Sequence, residues 1–280
     1  MNYEINSNNI LIKDTKEFLP KHIFDCGQVF RYLNSNSGHK IFSKNSFCGL
    51  IYVQGCVTIE SANPLEWVDY FDLNRDYGAI KADLTGRFGI LNKAIEFGHG
   101  IRILNQDPYE MILSFIISAN NNIPRIKGII ERLCERAGER IGDNKEFSFP
   151  SMEMLKGKTE EFYKDLGAGY RASYLVKTID AMLNGFNLDI SAMDTETARR
   201  HLMKLTGVGR KVADCILLFG YHRTDTFPVD VWTERVYDDL FGFGTLSPEQ
   251  KANKLCSYFG PLSGYAQQYL YYYYRENNLK

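Results

Sequence analysis

Two hydrophobic patterns follow one another along the chain, and the change lies near residue 64. Between residues 27 and 62, apolar positions alternate with polar ones or form short β-branched runs, which is typical of strands. The predicted strands cover residues 28–32, 50–53 and 56–59, with turns at 34–38 and 54–55. Because Gln54-Gly55 separates two such runs, we expect a hairpin there. This part therefore predicts a small antiparallel sheet.

From Pro64 onward the apolar residues recur at spacings of three and four, which predicts helices. Residues 108–119 are apolar nearly all round, as expected of a helix buried at the centre of a bundle. The other predicted helices cover residues 65–71, 77–88, 91–97, 126–137, 152–156, 159–166, 171–184, 195–204, 211–221, 231–240, 248–259 and 264–277. The predicted fold class is α+β: a small N-terminal antiparallel β-sheet domain with flanking helices (residues 1–105), then a mostly α-helical domain (residues 106–280) whose last helices pack back on the first.

Composition is that of an ordinary globular protein, and the charge is balanced. The 280 residues are 44% hydrophobic, and 33 basic against 34 acidic side chains leave a net charge of −1. The strongly basic balance of many nucleic-acid binders is absent, so any DNA contact must come from local geometry. No apolar run approaches the ~18 residues of a membrane span, and the N-terminal sequence does not resemble a signal peptide. We expect a cytoplasmic protein, nucleoid-associated if bacterial, with no membrane contact.

The cysteines give no sign of a metal centre. Their spacing contains no C-x₂-C pair and no compact group of four, which argues against zinc and iron–sulfur sites. The six are Cys26, Cys48, Cys56, Cys134, Cys215 and Cys256. We therefore expect no cofactor.

The most informative segment lies between the predicted helices 195–204 and 211–221. Its connection, Gly207-Val208-Gly209, is short enough to require backbone angles that only glycine adopts easily. Such a turn leaves main-chain N–H groups unpaired at a helix N-terminus, where they can bind a phosphate. Taken alone, the tripeptide is equally consistent with a simple helix cap.

Lys211 opens the helix that follows this turn, and Asp230 lies beyond the end of that helix. Lys211 lies in the first turn, where the helix dipole disfavours an ammonium group, so we expect a lowered pKa and a nucleophilic amine. Asp230 follows Pro228 and precedes a helical pattern, which is the position of an N-cap. Considered separately, Lys211 is an ordinary surface lysine and Asp230 an ordinary cap.

Together these residues resemble the helix–hairpin–helix DNA glycosylases (hairpin at about 195–221), and the lysine marks the bifunctional branch. Within that branch, four further segments are similar to 8-oxoguanine DNA glycosylases of the eukaryotic-like type. They are Cys26-Gly-Gln-Val-Phe-Arg31, residues 106–125 with the triple Asn120-Asn121-Asn122, Leu166-Gly-Ala-Gly-Tyr-Arg-Ala172, and Gly264-Tyr-Ala-Gln-Gln-Tyr-Leu-Tyr271. The matching segments extend from residue 26 to residue 271, which is most of the chain.

The resemblance implies a base-excision-repair enzyme that flips 8-oxoguanine out of duplex DNA, where it is paired with cytosine. Lys211 would attack C1′, Asp230 would stabilise the developing positive charge, and β-elimination would give an AP-lyase activity. The resemblance implies that the lesion-base pocket consists of Gly27, Cys215, Gln267 and Tyr271. It implies that the gap is filled and the opposite cytosine contacted by Asn120, Arg125, Tyr170 and Arg171. It also implies that the DNA backbone is bound by Gly207, Val208 and Gly209, and a structural cation by the carbonyls of Met203, Leu205 and Val208. The expected partner is double-stranded DNA containing 8-oxoguanine, bound by a monomer without an obligate protein partner.

Discrimination from guanine depends on one proton, since guanine N7 is an acceptor and the oxidised base carries N7–H. The resemblance implies that the carbonyl of Gly27 accepts this hydrogen, a contact that supplies ~10- to 100-fold selectivity. Cys215 and Tyr271 would sandwich the base, and Gln267 would contact its Watson–Crick edge.

The sequence also departs from the family pattern. Trp232 stands where eukaryotic members have a histidine that meets a phosphate, Ala119 replaces a common serine, and the loop between Phe241 and Pro248 is short. Other classes compete with the main interpretation. Endonuclease III-like and adenine-directed glycosylases usually carry a C-terminal iron–sulfur cluster held by four cysteines, whereas this chain has only Cys256 after Cys215, and alkylated-base glycosylases lack the lysine. A glycosylase for another damaged base, or a non-catalytic helix–hairpin–helix DNA-binding protein, remains as an alternative.

Overall fold

The N-terminal part of the chain forms one antiparallel sheet of six strands. The structure is a computed structural model, and it describes residues 1–35, 38–141, 146–242 and 245–277. The spatial order of the strands is β1-β2-β6-β5-β4-β3. They are β1 (Tyr3–Ile5), β2 (Asn9–Ile12), β3 (Tyr32–Ser35), β4 (Gly38–Ser43), β5 (Ser46–Val53) and β6 (Cys56–Glu60). The predicted hairpin is confirmed, since Val53 pairs with Cys56.

Some details of the sheet differ from the prediction. The strand predicted at 28–32 is wrong except for Tyr32, because residues 28–31 form a buried loop, of which only the carbonyl of Arg31 accepts a main-chain hydrogen bond from β4. Strands β1, β2 and β4 were not predicted individually, and residues 34 and 35 of the predicted turn belong to β3. The turn predicted at 34–38 falls partly on residues 36 and 37, which lie outside the described residues, and Ser35 pairs with Gly38 across it.

Short helices follow the sheet, as predicted. They are α1 (Pro20–Asp25), α2 (Pro64–Tyr70), α3 (Tyr77–Leu84), α4 (Gly89–Phe97), α5 (Pro108–Ser118), α6 (Ile123–Ala137), α7 (Met152–Leu155), α8 (Glu160–Asp165), α9 (Arg171–Leu183), α10 (Thr195–Leu202), α11 (Arg210–Gly220), α12 (Val231–Phe241), α13 (Pro248–Phe259) and α14 (Ser263–Glu276). Helix α1, between strands β2 and β3, was not predicted. Among the described residues, no helix combines the length and apolar character needed to cross a bilayer.

The molecule has two hydrophobic cores. The first lies beneath the sheet and includes Ile12, Ile59 and Trp67. The second surrounds α5 and α11, and the side chains of residues 111–117 in α5 are all buried, as their apolar pattern predicts. Helices α3 and α4 belong to this second core, and α14 packs against α4. The domain boundary at residue 105 stays a prediction.

The buried side chain of Gln28 fixes the loop between α1 and β3. Its Nε2 donates to the carbonyl of Arg102 at 2.7 Å, and its Oε1 accepts from the amide of Leu104 at 2.9 Å. Two residues earlier in the chain, the carbonyl of Cys26 accepts a hydrogen bond from Nε2 of Gln268 at 2.7 Å. Buried polar groups that are fully paired in this way hold a segment in one conformation. Gly27 is thereby fixed between the segment before α5 and α14.

Candidate active site

Helices α10 and α11 are joined by the hairpin that the sequence predicted. Gly207 has φ +87, and a Cβ placed on it would lie 2.7 Å from the ring of Tyr174, so both conformation and space require glycine. The amide of Val208 donates to the carbonyl of Leu205 at 3.2 Å, which closes the turn. Gly209 is exposed and is the N-cap of α11. The main-chain N–H groups in the first turn of α11 therefore follow an exposed glycine, which is the arrangement that phosphate binding at a helix N-terminus requires.

The predicted structural cation fits the chemistry of this turn. Carbonyl oxygens are suitable ligands for a hard cation, and each carbonyl has two lone pairs. The carbonyl of Leu205 accepts one hydrogen bond and so retains a lone pair for a cation. With Leu205, the carbonyls of Met203 and Val208 would hold the ion, whose binding stays a prediction.

Asp230 caps α12 and is held in place by reciprocal hydrogen bonds. Its Oδ1 accepts from the amides of Trp232 and Thr233, each at 3.0 Å, and its own amide donates to the hydroxyl of Thr233 at 2.6 Å. This is a capping box, so the predicted N-cap role is confirmed. The hydrogen bonds described for the carboxylate all end on Oδ1, which leaves Oδ2 available to a neighbouring charge.

One pocket brings together the residues that the sequence assigned to the chemistry and to the lesion base. Its walls come from the loop before β3, from α5, α11 and α14, and from the N-terminus of α12. They are formed by Cys26, Gly27, Phe115, Lys211, Cys215, Phe219, Pro228, Asp230, Gln267, Gln268 and Tyr271. All six predicted pocket and catalytic residues are among them. The distant segments of the chain therefore converge on one site.

The sequence interpretation missed several pocket residues for which a signal existed. Phe219 follows Lys211 and Cys215 at the i, i+4, i+8 spacing that places side chains on one face of a helix. Phe115 lies on the predicted central helix, and its ring centre is 5.7 Å from Nζ of Lys211. Helical periodicity would have found Phe219, whereas Phe115 required the packing of α5 against α11.

The pocket is too small for a purine in this conformation. It encloses about 40 Å³ of free space, which is room for about three water molecules. Tyr271 narrows it, since a Cβ on Gly27 would lie 3.1 Å from the Tyr271 ring. Gly27 itself has φ +83, so its backbone also favours glycine. The Tyr271 ring therefore occupies part of the space beside Gly27.

The predicted lowering of the Lys211 pKa is wrong. Burial lowers the pKa of its ammonium, but Cys215, Asp230 and Tyr271 outweigh this effect, and the pKa lies above its ordinary value. Burial raises the pKa of Cys215 to about 11, so at neutral pH its thiol is uncharged and Asp230 supplies the negative charge. The sequence argument failed because it counted the helix dipole and burial without the carboxylate that the fold places nearby.

The residues predicted to meet the opposite cytosine lie between α5 and α6, in the first turn of α6 and at the start of α9. Asn120 is exposed at the end of α5 with φ +49, a conformation that asparagine tolerates. Tyr170 is 53% exposed, and its hydroxyl donates to the carbonyl of Ala119 at 3.2 Å. Arg125 is exposed, and its Nη2 donates to the carbonyl of Gly167 at 3.1 Å. An amide, a phenol and a guanidinium group are thus presented together on one exposed surface, here called the loop edge (Asn120, Arg125 and Tyr170).

Arg171 lies beneath this edge and not on it. Its side chain is buried, Nε donates to the carbonyl of Ala119 at 2.8 Å, and Nη2 donates to that of Asn120 at 2.7 Å. In this conformation Arg171 supports the loop that presents Asn120. Its direct contact with cytosine stays a prediction, and it requires the loop to open.

Trp232 is half-buried beside the cap of α12. The guanidinium carbon of Arg235 lies 5.0 Å from the centre of its ring, one turn along the helix. A positive charge therefore lies next to the position where the family's histidine would meet a phosphate. Part of the short loop after Phe241, residues 243 and 244, lies outside the described residues.

Two family models match consecutive parts of the chain. Residues 10–112 match the N-terminal domain of 8-oxoguanine DNA glycosylase. Residues 113–261 match the model described as HhH-GPD superfamily base excision DNA repair protein. The hairpin and the lysine–aspartate pocket agree with that description. Together they define the class as base-excision DNA repair proteins of the helix–hairpin–helix type.

Individual relatives narrow the class. The chain is 30% identical to a probable N-glycosylase/DNA lyase of Methanothermobacter thermautotrophicus (82% of this chain, 81% of the relative) and 30% identical to the Arabidopsis thaliana N-glycosylase/DNA lyase OGG1 (89% and 75%). It superposes with a TM-score of 0.93 and 39% identity on the Clostridium acetobutylicum 8-oxoguanine glycosylase/lyase, solved with double-stranded DNA containing cytosine opposite 8-oxoguanine (100% and 99% covered). The chain belongs to the 8-oxoguanine DNA glycosylase family.

Proposed function

We propose that this protein removes 8-oxoguanine from duplex DNA and then cleaves the abasic site, using Lys211 for both steps. The observation that carries the proposal is the convergence of Lys211 and Asp230 with Gly27 and Gln267 on one pocket. A pocket that combines a nucleophile, a carboxylate and groups for a base is suited to excision of a flipped nucleotide. The names of its relatives support the same activity.

DNA binding would use the hairpin and the exposed loop edge together. The N–H groups at Gly207–Gly209 and the start of α11 would bind a backbone phosphate without needing basic side chains. Asn120 would fill the gap left by the flipped nucleotide, and Tyr170 would wedge beside it. Arg125 offers only donors and therefore suits the O2 and N3 acceptors of cytosine. This arrangement explains how a protein of net charge −1 can bind DNA.

Recognition of the base would begin with movement of Tyr271 away from Gly27. The carbonyl of Gly27 would then accept N7–H of the lesion, while Tyr271 and Cys215 contact the two faces of the base. The Oε1 atom of Gln267 is buried and has no hydrogen-bond partner among the described residues. A base that supplies donors from its Watson–Crick edge would remove that unfavourable state.

Lys211 must lose a proton before it can react, because the nearby carboxylate favours the protonated ammonium form. The neutral amine attacks C1′, and the C1′–N9 electron pair leaves with the base, which takes up a proton. Ring opening converts the N–C1′ adduct into a Schiff base. Loss of a C2′ proton then expels the 3′ phosphate by β-elimination. Asp230 would stabilise the positive charge on the sugar and on the iminium group.

The test is borohydride trapping on a duplex with one 8-oxoguanine opposite cytosine. The natural protein is expected to form a covalent adduct, and Lys211→Gln is expected to form none while still binding the duplex. Lys93→Gln removes an exposed lysine of α4 and is the matched control, which should trap like the natural protein. Tight binding without any adduct from the natural protein would favour the non-catalytic DNA-binding alternative.

The finer expectations about partners and location stay predictions. They are a monomeric state, the absence of an obligate protein partner, a cytoplasmic or nucleoid location, and activity without a cofactor. A preference for cytosine opposite the lesion is proposed from Arg125 and Tyr170. Sedimentation of the purified protein with and without the duplex tests the monomeric state directly.

A further inference from the structure

Arg275 contacts two residues that line the lesion pocket, Gly27 and Tyr271, although neither the sequence interpretation nor the roles implied by the resemblance include it. It follows Gln267 and Tyr271 on α14 at the i, i+4, i+8 spacing, so the three side chains share one helix face. The guanidinium carbon lies 5.3 Å from the centre of the Tyr271 ring. Its side chain is 16% exposed. Arg275 is therefore a largely buried cation packed on the aromatic ring that closes the pocket.

Part of the guanidinium group has a structural function. Nη2 donates to the main-chain carbonyl of Asp25 and to Oε1 of Glu276, the latter at 2.8 Å. Nε also donates to Oε1 of Glu276, at 3.1 Å. These bonds connect the end of α14 to the end of α1. They account for two of the three nitrogen atoms and leave Nη1 unexplained.

Nη1 is buried and makes no hydrogen bond of good geometry among the described residues, although the side chain of Tyr271 lies close enough to favour the charged guanidinium group. A Cβ on Gly27 would lie only 2.9 Å from Nη1, and 3.4 Å from the hydroxyl of Tyr271. The absent side chain of Gly27 is therefore what lets this donor approach the main chain that is expected to contact the lesion. An unpaired donor on a buried cation is unfavourable, and such groups are rare unless a ligand completes them.

The chemistry of the lesion identifies the atom that fits this donor. In 8-oxoguanine, N7–H lies between two carbonyl acceptors, O6 and O8. The proposed function assigns N7–H to the Gly27 carbonyl and the Watson–Crick edge, which includes O6, to Gln267. O8 is the acceptor that remains, and it lies on the other side of N7. Undamaged guanine has only a C8–H group at that position.

We propose that Arg275 is a specificity-determining residue that donates from Nη1 to O8 of the flipped base; this inference rests on the proposed function of the pocket. In the DNA-free protein the Tyr271 ring covers the guanidinium group. When Tyr271 moves to admit the base, Nη1 gains O8 as its acceptor. The Gly27 carbonyl and Arg275 then form an acceptor–donor pair that matches N7–H and O8 and opposes guanine at both atoms.

Two single-turnover reactions separate this function from a structural one. The first measures release of 8-oxoguanine opposite cytosine, and the second measures cleavage of a preformed abasic site, which needs Lys211 but no base contact. Arg275→Met is expected to slow the first reaction about 10- to 100-fold and to leave the second unchanged. Arg136→Met, which changes an exposed arginine of α6, is the matched control and should affect neither.

The outcomes are distinct. Equal slowing of both reactions, or no slowing of either, would overturn the inference about Arg275. Failure of the natural protein to release 8-oxoguanine at all would instead overturn the proposed function. A crystal structure of Lys211→Gln with the lesion duplex gives a second test that does not depend on the stability of an Arg275 variant. A distance from Nη1 to O8 within about 3.2 Å is expected, and a separation beyond hydrogen-bond range would contradict it.

Discussion

Arg199 and Asp214 form a buried ion pair between the two helices of the hairpin, with 2.6 Å between Nε and Oδ1. Their side chains are 7% and 1% exposed. Nε of Arg210 also approaches the Asp214 carboxylate, at 3.7 Å. The pair therefore fixes α10 relative to α11 directly beside Lys211. The orientation of the nucleophile and of the hairpin amides depends on a contact that does no chemistry itself.

Removal of one partner of this pair should destabilise the protein. Arg199→Met leaves the Asp214 carboxylate buried without its closest cation, so we expect the free energy of unfolding in urea to fall by about 3–5 kcal/mol. Arg200→Met removes an exposed arginine from the same helix, which contacts Glu196 at the surface, and should cost less than about 1 kcal/mol. Similar losses in the two variants would show that the buried pair does not determine hairpin stability.

The cap and the charge of Asp230 can be separated by substitution. Asp230→Asn keeps a side-chain oxygen for the amides of Trp232 and Thr233, so unfolding should change little, whereas Asp230→Ala should cost about 1 kcal/mol. Both variants lose the negative charge, and single-turnover excision should fall about 10²- to 10³-fold in each. Full activity in Asp230→Asn would refute an electrostatic role for the carboxylate.

The same substitution should change the protonation of Lys211. The charge of Asp230 contributes to the raised pKa of the Lys211 ammonium, so Asp230→Asn is expected to lower that pKa. NMR titration of ¹³C-labelled lysine would follow the Lys211 signal, identified by its absence in Lys211→Gln. Asp165→Asn changes a largely exposed carboxylate elsewhere and should leave the Lys211 pKa in place. An unchanged pKa in Asp230→Asn would contradict the assignment of its cause.

His22 should make stability depend on pH in the acid range. Its Nδ1 accepts from the amide of Gly100 at 3.2 Å, which requires an unprotonated nitrogen. Burial, with His99 nearby, lowers the pKa of His22 from 6.5 to about 4. Between these values the unfolded chain binds more protons than the folded one, so stability is present above pH 6.5 and falls as the pH is lowered to 4.

His22→Gln removes this titration, and urea unfolding across that pH range measures its contribution. The natural protein should lose about 1–2 kcal/mol more than the variant, a value reduced for the partial exposure of the imidazole. The comparison with the variant cancels the carboxylates that titrate in the same range. Parallel pH profiles for the two proteins would exclude His22 as the source.

Arg125 should determine the choice of the opposite base. Arg125→Ala removes exposed donors that suit cytosine, so the ratio of excision opposite cytosine to excision opposite adenine should fall about 10-fold. Arg136→Ala, on the same helix, should leave that ratio unchanged. Single-turnover assays on the two duplexes measure it. A preserved ratio in Arg125→Ala would show that other residues of the loop edge determine the preference for cytosine.

The helices were predictable because their apolar spacing is local and strong. The prediction of a strand at 28–32 failed because the adjacent Val29 and Phe30 are buried in different hydrophobic cores, and the buried Gln28 holds the backbone in a loop. Strands β1 and β2 have only three and four residues, which is too short for a period to be recognised. The direction of the Lys211 pKa shift depends on Cys215, one turn along the same helix, and on Asp230 and Tyr271, whose distances from Lys211 only the fold sets.

The sequence by itself determined the features that depend on neighbouring residues. Gly207 allows the hairpin turn, Asp230 caps α12, and the order of the motifs indicates the family. Only the tertiary structure decided which distant residues meet. Gly27 contacts Tyr271 and Arg275 because Gln28 fixes one segment and the packing of α14 fixes the other. Such contacts depend on the sum of many packing interactions across the chain, which no local pattern records.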